Sequence, residues 1–451
     1  MMTEDTMPFG FTAAPRNGEA PRAGKKPAHR YALRAVVMAG VAALLLGVSN
    51  PAARAADPIK IGVLLPLSGN FAVLGQQALT GMKIYLDQIG NKAGDHPIDL
   101  LVEDAQGRPD VAVTKARKLV QGEGAQVLTG VVSSGVALAT NDYSRDNKVP
   151  LVLSGDAGVT ELTMPGPLAN PYLVRTSQNG RAVGAVGADW AYKKGWRKVV
   201  TIGSDYAGGL DVDYAFAQEF CKLGGRVIQA EWSPIGTADF GPYLTNIDRS
   251  ADALVAFAPG ADGLRLARQY ADFGLKGKLP VLDLFGTLVY EPNLPQLGDA
   301  TLGMYSVLFY TPMLKTPENE RFVAEFKKRM HFMPANEGPN GYVGAEAIVD
   351  AINAVHGDLS DKMKFIAALK AVKFDSPKGP VSLDKYGQVV QPMYIREVQK
   401  VDGQTANVPI ATYKSVDQFW PYTEAEYDSF KYTYKDAKNA MTDCSRLLAK
   451  K

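Results

Sequence analysis

The sequence predicts an α/β protein made of parallel sheets in two lobes. Three observations carry that expectation. Short runs rich in β-branched residues alternate with amphipathic stretches, the pattern of repeated β-α-β units. Several of the runs, such as Val199-Val200-Thr201-Ile202, are apolar throughout, which suits strands covered on both faces. The runs also fall into two series of four or five, broken near residues 177–180, and a chain of 451 residues is too long for one ordinary core.

In chain order, a leader comes first. A 14-residue apolar run at 35–48 is preceded by Lys25, Lys26, Arg30 and Arg34 and followed by Ala53-Arg54-Ala55. A membrane span needs about 20 apolar residues, so this run reads as a signal peptide over 1–55, cleaved after Ala55. No Cys follows the run and no Arg-Arg pair precedes it, which points to the general secretion route and a periplasmic location without a lipid anchor. Seven of the 49 basic and three of the 47 acidic residues lie in 1–55, leaving the remainder at a formal −2. That balance excludes a nucleic-acid footprint, which requires a basic stripe. At 46% hydrophobic and 21% charged, the composition is that of a globular protein.

Lobe 1 opens at 56 and runs to 177. Its expected strands are 59–65, 98–103, 126–132, 150–154 and 172–176, with helices over 75–89, 111–121 and 136–147 between them. Lobe 2 follows over 178–303, with strands 198–204, 226–232, 253–258 and 280–285 and helices over 182–194, 210–223 and 264–273. A strand at 304–310 and helices at 319–329 and 343–354 are assigned back to lobe 1, over 304–378. A strand pair at 380–383 and 393–401, turned by Asp384-Lys385-Tyr386-Gly387, returns to lobe 2 over 379–410. The last segment, 411–451, is an aromatic-rich tail (Phe419, Trp420, Tyr422, Tyr427, Phe430, Tyr432, Tyr434) expected to pack across one lobe.

Cys221 and Cys444 are the two cysteines, and an exported chain with an even count predicts a disulfide between them. His29, His96, His331 and His356 are scattered without metal-ligand spacing, so no metal or cofactor is expected.

Ligands of open parallel sheets sit beyond the carboxyl ends of the strands. Four strand-to-helix turns there are rich in glycine and hydroxyls: 66–71, Ser133-Ser134-Gly135, Ser154-Gly155-Asp156-Ala157-Gly158, and Asp205-Tyr206-Ala207-Gly208-Gly209. Each precedes a helix N-terminus, whose free N–H groups and dipole suit a carboxylate. The same residue types also cap helices, and any single turn reads more readily as a cap. Four in one two-lobe plan predict a shared cleft. Phosphate-loop, dinucleotide, nucleophile-elbow and zinc-protease motifs are all missing, and no enzymatic activity is expected.

The segment 59–69, followed by Gly75 and by Gly81-Met82-Lys83, resembles the opening of the leucine/isoleucine/valine-binding proteins, the receptors of ABC importers. The resemblance continues through 130–135, 150–163, 205–209, Asn340-Gly341-Tyr342, Ala345-Glu346-Ala347 and Gly379-Pro380-Val381. It implies two Rossmann-like lobes joined by a three-strand hinge, with a small ligand in the cleft and an inner-membrane ABC permease as partner. A monomer is expected, and a membrane sensor is the alternative partner. The family's carboxylate-holding positions match Ser134, Asp156 and Gly158, with Ser133 and Ala157 beside them. The aromatic closing over the ligand matches Tyr206, and the side chain from the first turn matches Leu74. The acidic residue that pairs an amino acid's ammonium matches Leu288, in the loop that begins at Phe285. An unpaired ammonium is costly to bury. This departure opens the class to aromatic or aliphatic carboxylates or amides, unless Asp156 turns into the cleft in place of the missing acid.

Overall fold

The computed structural model describes residues 56–428 and 434–450. The expected leader, with the tail residues Phe430 and Tyr432, lies outside the described residues. The first lobe carries β1 (Ile59–Leu65), β2 (Lys92–Ala93), β3 (His96–Asp104), β4 (Val127–Gly130), β5 (Leu151–Leu153) and β6 (Leu173–Arg175). They form one sheet in the order β2-β3-β1-β4-β5-β6, parallel except at the short β2 edge. The second sheet contains β7 (Lys198–Ser204), β8 (Arg226–Ser233), β9 (Ala253–Ala256), β10 (Val281–Leu284), β11 (Tyr305–Leu308), β12 (Lys373–Ser376), β13 (Gly379–Leu383), β14 (Val389–Val401) and β15 (Gln404–Val416). Its order is β12-β13-β14-β11-β10-β9-β7-β8, with β15 on β14.

Three features differ from the sequence expectation. β11, assigned by pattern to the first lobe, instead pairs with β10 in parallel and with β14 in antiparallel register, so it belongs to the second sheet. An apolar run of four residues carries no record of which sheet buries it. The second sheet is also mixed rather than parallel, because β13, β14 and β15 form antiparallel pairs. Finally, β15 extends to Val416, so the tail leaves the sheet at 417, six residues later than expected. Its alternation of exposed and half-buried positions gives little period-2 contrast to read.

The helices Glu337–Ala354 and Lys362–Lys370 pack against the first sheet, and Pro317–Met330 packs on helix Ala72–Gln88. Glu337–Ala354 lies almost in backbone contact with Ala72–Gln88. A Cβ on Gly81 would stand 1.8 Å from the Gly338 carbonyl, and one on Gly341 would stand 1.9 Å from that of Ala78. Only glycine permits this crossing, and it fixes where the first turn of Glu337–Ala354 arrives.

The chain passes between lobes after β6, after β11, and between Lys362–Lys370 and β14. Arg175, fully buried, ties the first of these passages to the third. Its guanidinium donates to Gln388 Oε1 (2.6 Å) and to the carbonyls of Ala157 and Val159 (3.0 and 2.7 Å), and its amide to Gly387 O (2.8 Å). The tail packs on both lobes. Phe419 and Tyr427 enclose Met164, while Tyr434, Met441 and Leu447 join the core around Phe216 and Phe220. The disulfide Cys221–Cys444 closes across 223 positions of sequence and fastens the tail to helix Ala207–Leu223.

Candidate ligand-binding site

The turns after β1, β4, β5, β7, β9 and β10 converge between the lobes on a cavity of about 570 Å³, mouth included. Five helices begin there: Ala72–Gln88 behind Phe71, Ser134–Asn147, Ala207–Leu223 behind Tyr206, Ala261–Asp272 behind Gly260, and Glu337–Ala354. None of the five has a side-chain cap. Away from the cavity, Asn179, Thr316 and Asp361 do cap their helices. Ser133 and Asp205 therefore are not the caps their residue types suggest. Several positive dipole ends point into one enclosed space, whose lining holds no Lys or Arg.

The lobes stand closed around it. At the mouth, Asn70 Nδ2 donates to Pro259 O (3.4 Å), and the Ala261 amide donates to Asn70 O (3.4 Å). Deeper in, Gln77 of the first lobe donates to the Tyr290 hydroxyl of the second-lobe loop. Ser134 and Gly208 meet across the cleft: a Cβ built on Gly208 would lie 2.8 Å from Ser134 Oγ and 2.6 Å from the Tyr206 hydroxyl. Ser134 Oγ also accepts from the Gly158 amide (3.1 Å). Burial pushes the Tyr206 hydroxyl pKa up, helped by the charge of Asp156, so the phenol stays a donor.

The second-lobe wall is aromatic. Tyr206 stacks on Phe257 (6.3 Å between ring centres), which packs against Phe285 (5.8 Å). Phe285 has φ +64°, a conformation that a non-glycine residue adopts only when its surroundings impose it. Asp283 supplies that constraint. Its carboxylate accepts from Thr287 N and Oγ1 (both 2.9 Å), Leu288 N (2.7 Å) and Val289 N (3.0 Å). The acid near this loop thus serves to shape it.

On the first-lobe side lies a buried polar cluster. Asp156 accepts from Asn340 Nδ2 (2.6 Å) and from Asn336 Nδ2. Lys378 donates to Asn340 Oδ1 (2.8 Å) and Thr176 O (3.1 Å). Burial pushes Asp156 up to about 7 against the opposing charge of Lys378. It pushes Lys378 down to about 7 against Asp156 and Glu337. Burial, and then the Asp156 charge, hold Glu337 well above the usual carboxylate range.

Of the residues expected from sequence, Leu74, Ser134, Asp156, Gly158, Tyr206 and Phe285 line the cavity. Ser133, Ala157 and Leu288 do not. Ser133 is buried beside it, Ala157 is buried with its carbonyl on Arg175, and Leu288 is fully buried in the second lobe's core. Asp283 binds the backbone of 287–289 and draws the loop inward, so Phe285 and Thr287 face the cavity instead of Leu288. The cavity residues absent from the expectation include Phe257, Pro259 and Gly260, after β9. This Pro-Gly turn ahead of a helix repeats the signal used for the other turns. Asn336, Glu337 and Tyr290 carried no comparable signal.

A two-lobed scaffold closed over a cavity at the ends of its strands defines a binding protein of the clamshell class. The profile of the periplasmic binding protein family matches residues 58–404. A Leu/Ile/Val-binding protein homolog 6 of Brucella melitensis is 34% identical over 386 residues, covering 84% of this chain and 97% of the relative. An ABC transporter substrate-binding protein from Sphaerobacter thermophilus superposes with a TM-score of 0.75 at 35% identity, over 80% of this chain and 99% of that one. A solute-binding protein of an ABC transporter from Rhodopseudomonas palustris HaA2, solved with p-hydroxybenzoic acid, does so with a TM-score of 0.76 at 33% identity, over 82% and 100%. The chain belongs to the periplasmic binding protein family. Among the described residues no helix is long and apolar enough to cross a membrane.

Proposed function

We propose that this chain is the exported binding protein of an ABC importer and captures a small aromatic carboxylate by closing its lobes over it. The observation that carries this reading is the set of five uncapped helix N-termini opening on one aromatic-walled cavity. Dipole ends and hydroxyls hold a carboxylate without a basic side chain, and the walls at Phe257 and Phe285 suit a flat ring. The relative with bound p-hydroxybenzoic acid supports the ligand class. The alternative is a branched-chain amino acid, as the name of the 34% identical relative suggests. An ammonium needs an ionised, unoccupied acid. Asp283 is committed to backbone amides, Asp156 is hydrogen-bonded to two asparagines, and burial holds Glu337 well above the usual carboxylate range, towards its neutral form. In the aromatic-carboxylate reading, delivery to an inner-membrane permease follows from the family, and no catalytic step is invoked. A thermal-shift screen of residues 56–451 against benzoates, aliphatic acids and leucine, isoleucine and valine tests the assignment. A ligand at 100 times its Kd stabilises the native state by about 2.7 kcal/mol. Benzoates are expected to shift the melting temperature; a shift by the branched-chain amino acids alone would overturn the reading.

A further inference from the structure

Glu337 opens the helix Glu337–Ala354 with its side chain fully buried against the cavity. Its carboxyl oxygens lie near the Asp156 amide but form no well-aligned hydrogen bond with any donor, and the neighbouring Asn336 Oδ1 is equally without one. Three acceptor atoms of one cavity wall are thus unsatisfied, although buried polar groups are nearly always paired. Nearby donors are engaged: Asn336 Nδ2 and Asn340 Nδ2 serve Asp156, and Lys378 serves Asn340 and Thr176. Asn336 and Glu337 stand at the start of the helix Glu337–Ala354, whereas Ser134, Gly158 and Gly208 stand on the turns after β4, β5 and β7.

We propose that Glu337, flanked by Asn336, is a specificity-determining residue that receives a hydroxyl carried on the ligand's ring in addition to its carboxylate. The proposal rests on the aromatic-carboxylate reading and narrows it to hydroxylated aromatic acids. The charge count selects a hydroxyl over an ammonium. Two carboxyls, Asp156 and Glu337, share one ammonium, Lys378, so the cluster is neutral only when one carboxyl keeps its proton. A protonated carboxyl both donates and accepts, as a phenolic hydroxyl does. A methyl group of the same size leaves the three atoms unpaired, and sites built to bond a hydroxyl reject such analogues strongly.

Calorimetry with benzoate, 3- and 4-hydroxybenzoate and 3- and 4-methylbenzoate tests this. In the unmodified protein the better hydroxybenzoate should bind at least about tenfold more tightly than its methyl isostere. Glu337→Leu should bring the two to parity by removing the acceptor, while Glu337→Gln, which still donates and accepts, should retain part of the preference. The fold of each variant is checked without ligand, by its circular dichroism spectrum and a cooperative thermal transition. Equal affinities for hydroxyl and methyl ligands in the unmodified protein overturn the Glu337 proposal and leave the aromatic-carboxylate reading intact. An undiminished preference in Glu337→Leu does the same. Binding of none of the five acids overturns both.

Discussion

Gly208→Ala probes the closed cleft with one added carbon. The new Cβ would stand 2.8 Å from Ser134 Oγ of the first lobe and 2.6 Å from the Tyr206 hydroxyl. Both distances are shorter than ordinary van der Waals contact; the Ser134 hydroxyl can turn away, whereas the Tyr206 ring, whose Cζ would stand 2.7 Å from the new carbon, must shift against Phe257. No backbone atom obstructs the new carbon, so the protein should fold, its ligand-free stability set by the Gly-to-Ala helix preference of about 1 kcal/mol against the cost of moving the Tyr206 ring. Closure is the casualty. For the lobes to meet, Ser134 Oγ must turn away, and with it goes a charge-assisted bond to the ligand carboxylate worth about 1.5–3 kcal/mol. The expected loss in affinity is about 10- to 150-fold. Ser134→Ala should lose a similar amount by deleting the same hydroxyl. Because both changes act on one group, their effects should not add, and the double variant should resemble either single one. Calorimetric affinities for the ligand found in the screen, with melting temperatures of the free proteins, complete the cycle. Unchanged affinity in Gly208→Ala, or strictly additive losses, would refute the claim that Ser134 and Gly208 close on one anion.

Two further expectations follow from burial. Leu288→Ala should destabilise the protein by about 2–5 kcal/mol through a core cavity while leaving affinity within a few-fold of the original, since Leu288 is fully buried away from the cleft; a denaturation curve and a binding isotherm separate the two effects. Asp156 and Glu337 are raised by burial above their ordinary 3.8 and 4.5, so the folded state holds protons that the unfolded chain releases. Their contribution to stability is complete below about 4 and is lost as pH rises towards 7. Lys378, lowered from 10.5 to about 7, has the opposite sign above 7. The groups facing Glu337 include Tyr206 and Tyr290, whose hydroxyls stay protonated throughout. The melting temperature of the unmodified protein should therefore fall relative to Glu337→Gln between pH 5 and 7, and parallel profiles for the two proteins would contradict the assignment.

The sequence alone determined the fold class, the order of the parallel strands' elements and the cleft as the place for a ligand. Apolar strand runs and glycine-hydroxyl turns are local properties; Leu74 and Phe285 came from the family resemblance, whereas Ser134, Asp156, Gly158 and Tyr206 were readable because the turn that holds each is itself a local signal. The paired cysteines were legible for the same reason, as a count and a compartment. What tertiary structure decided lies mostly in first helical turns. The apolar period marks helices over 136–147, 210–223 and 343–354, but they begin at Ser134, Ala207 and Glu337. Their opening residues are mostly polar or small because they face a cavity or another backbone rather than the core, so they lack the period that reveals a helix. Asn336 and Glu337 were invisible for that reason. Leu288 was misplaced because Asp283 draws the 287–289 amides inward and turns Phe285 outward at a positive φ. Sequence distance likewise hid the cluster of Asp156, Asn340 and Lys378: more than 180 positions separate the first two, and only the glycine-lined crossing of Ala72–Gln88 with Glu337–Ala354 sets the helix at the depth where they meet.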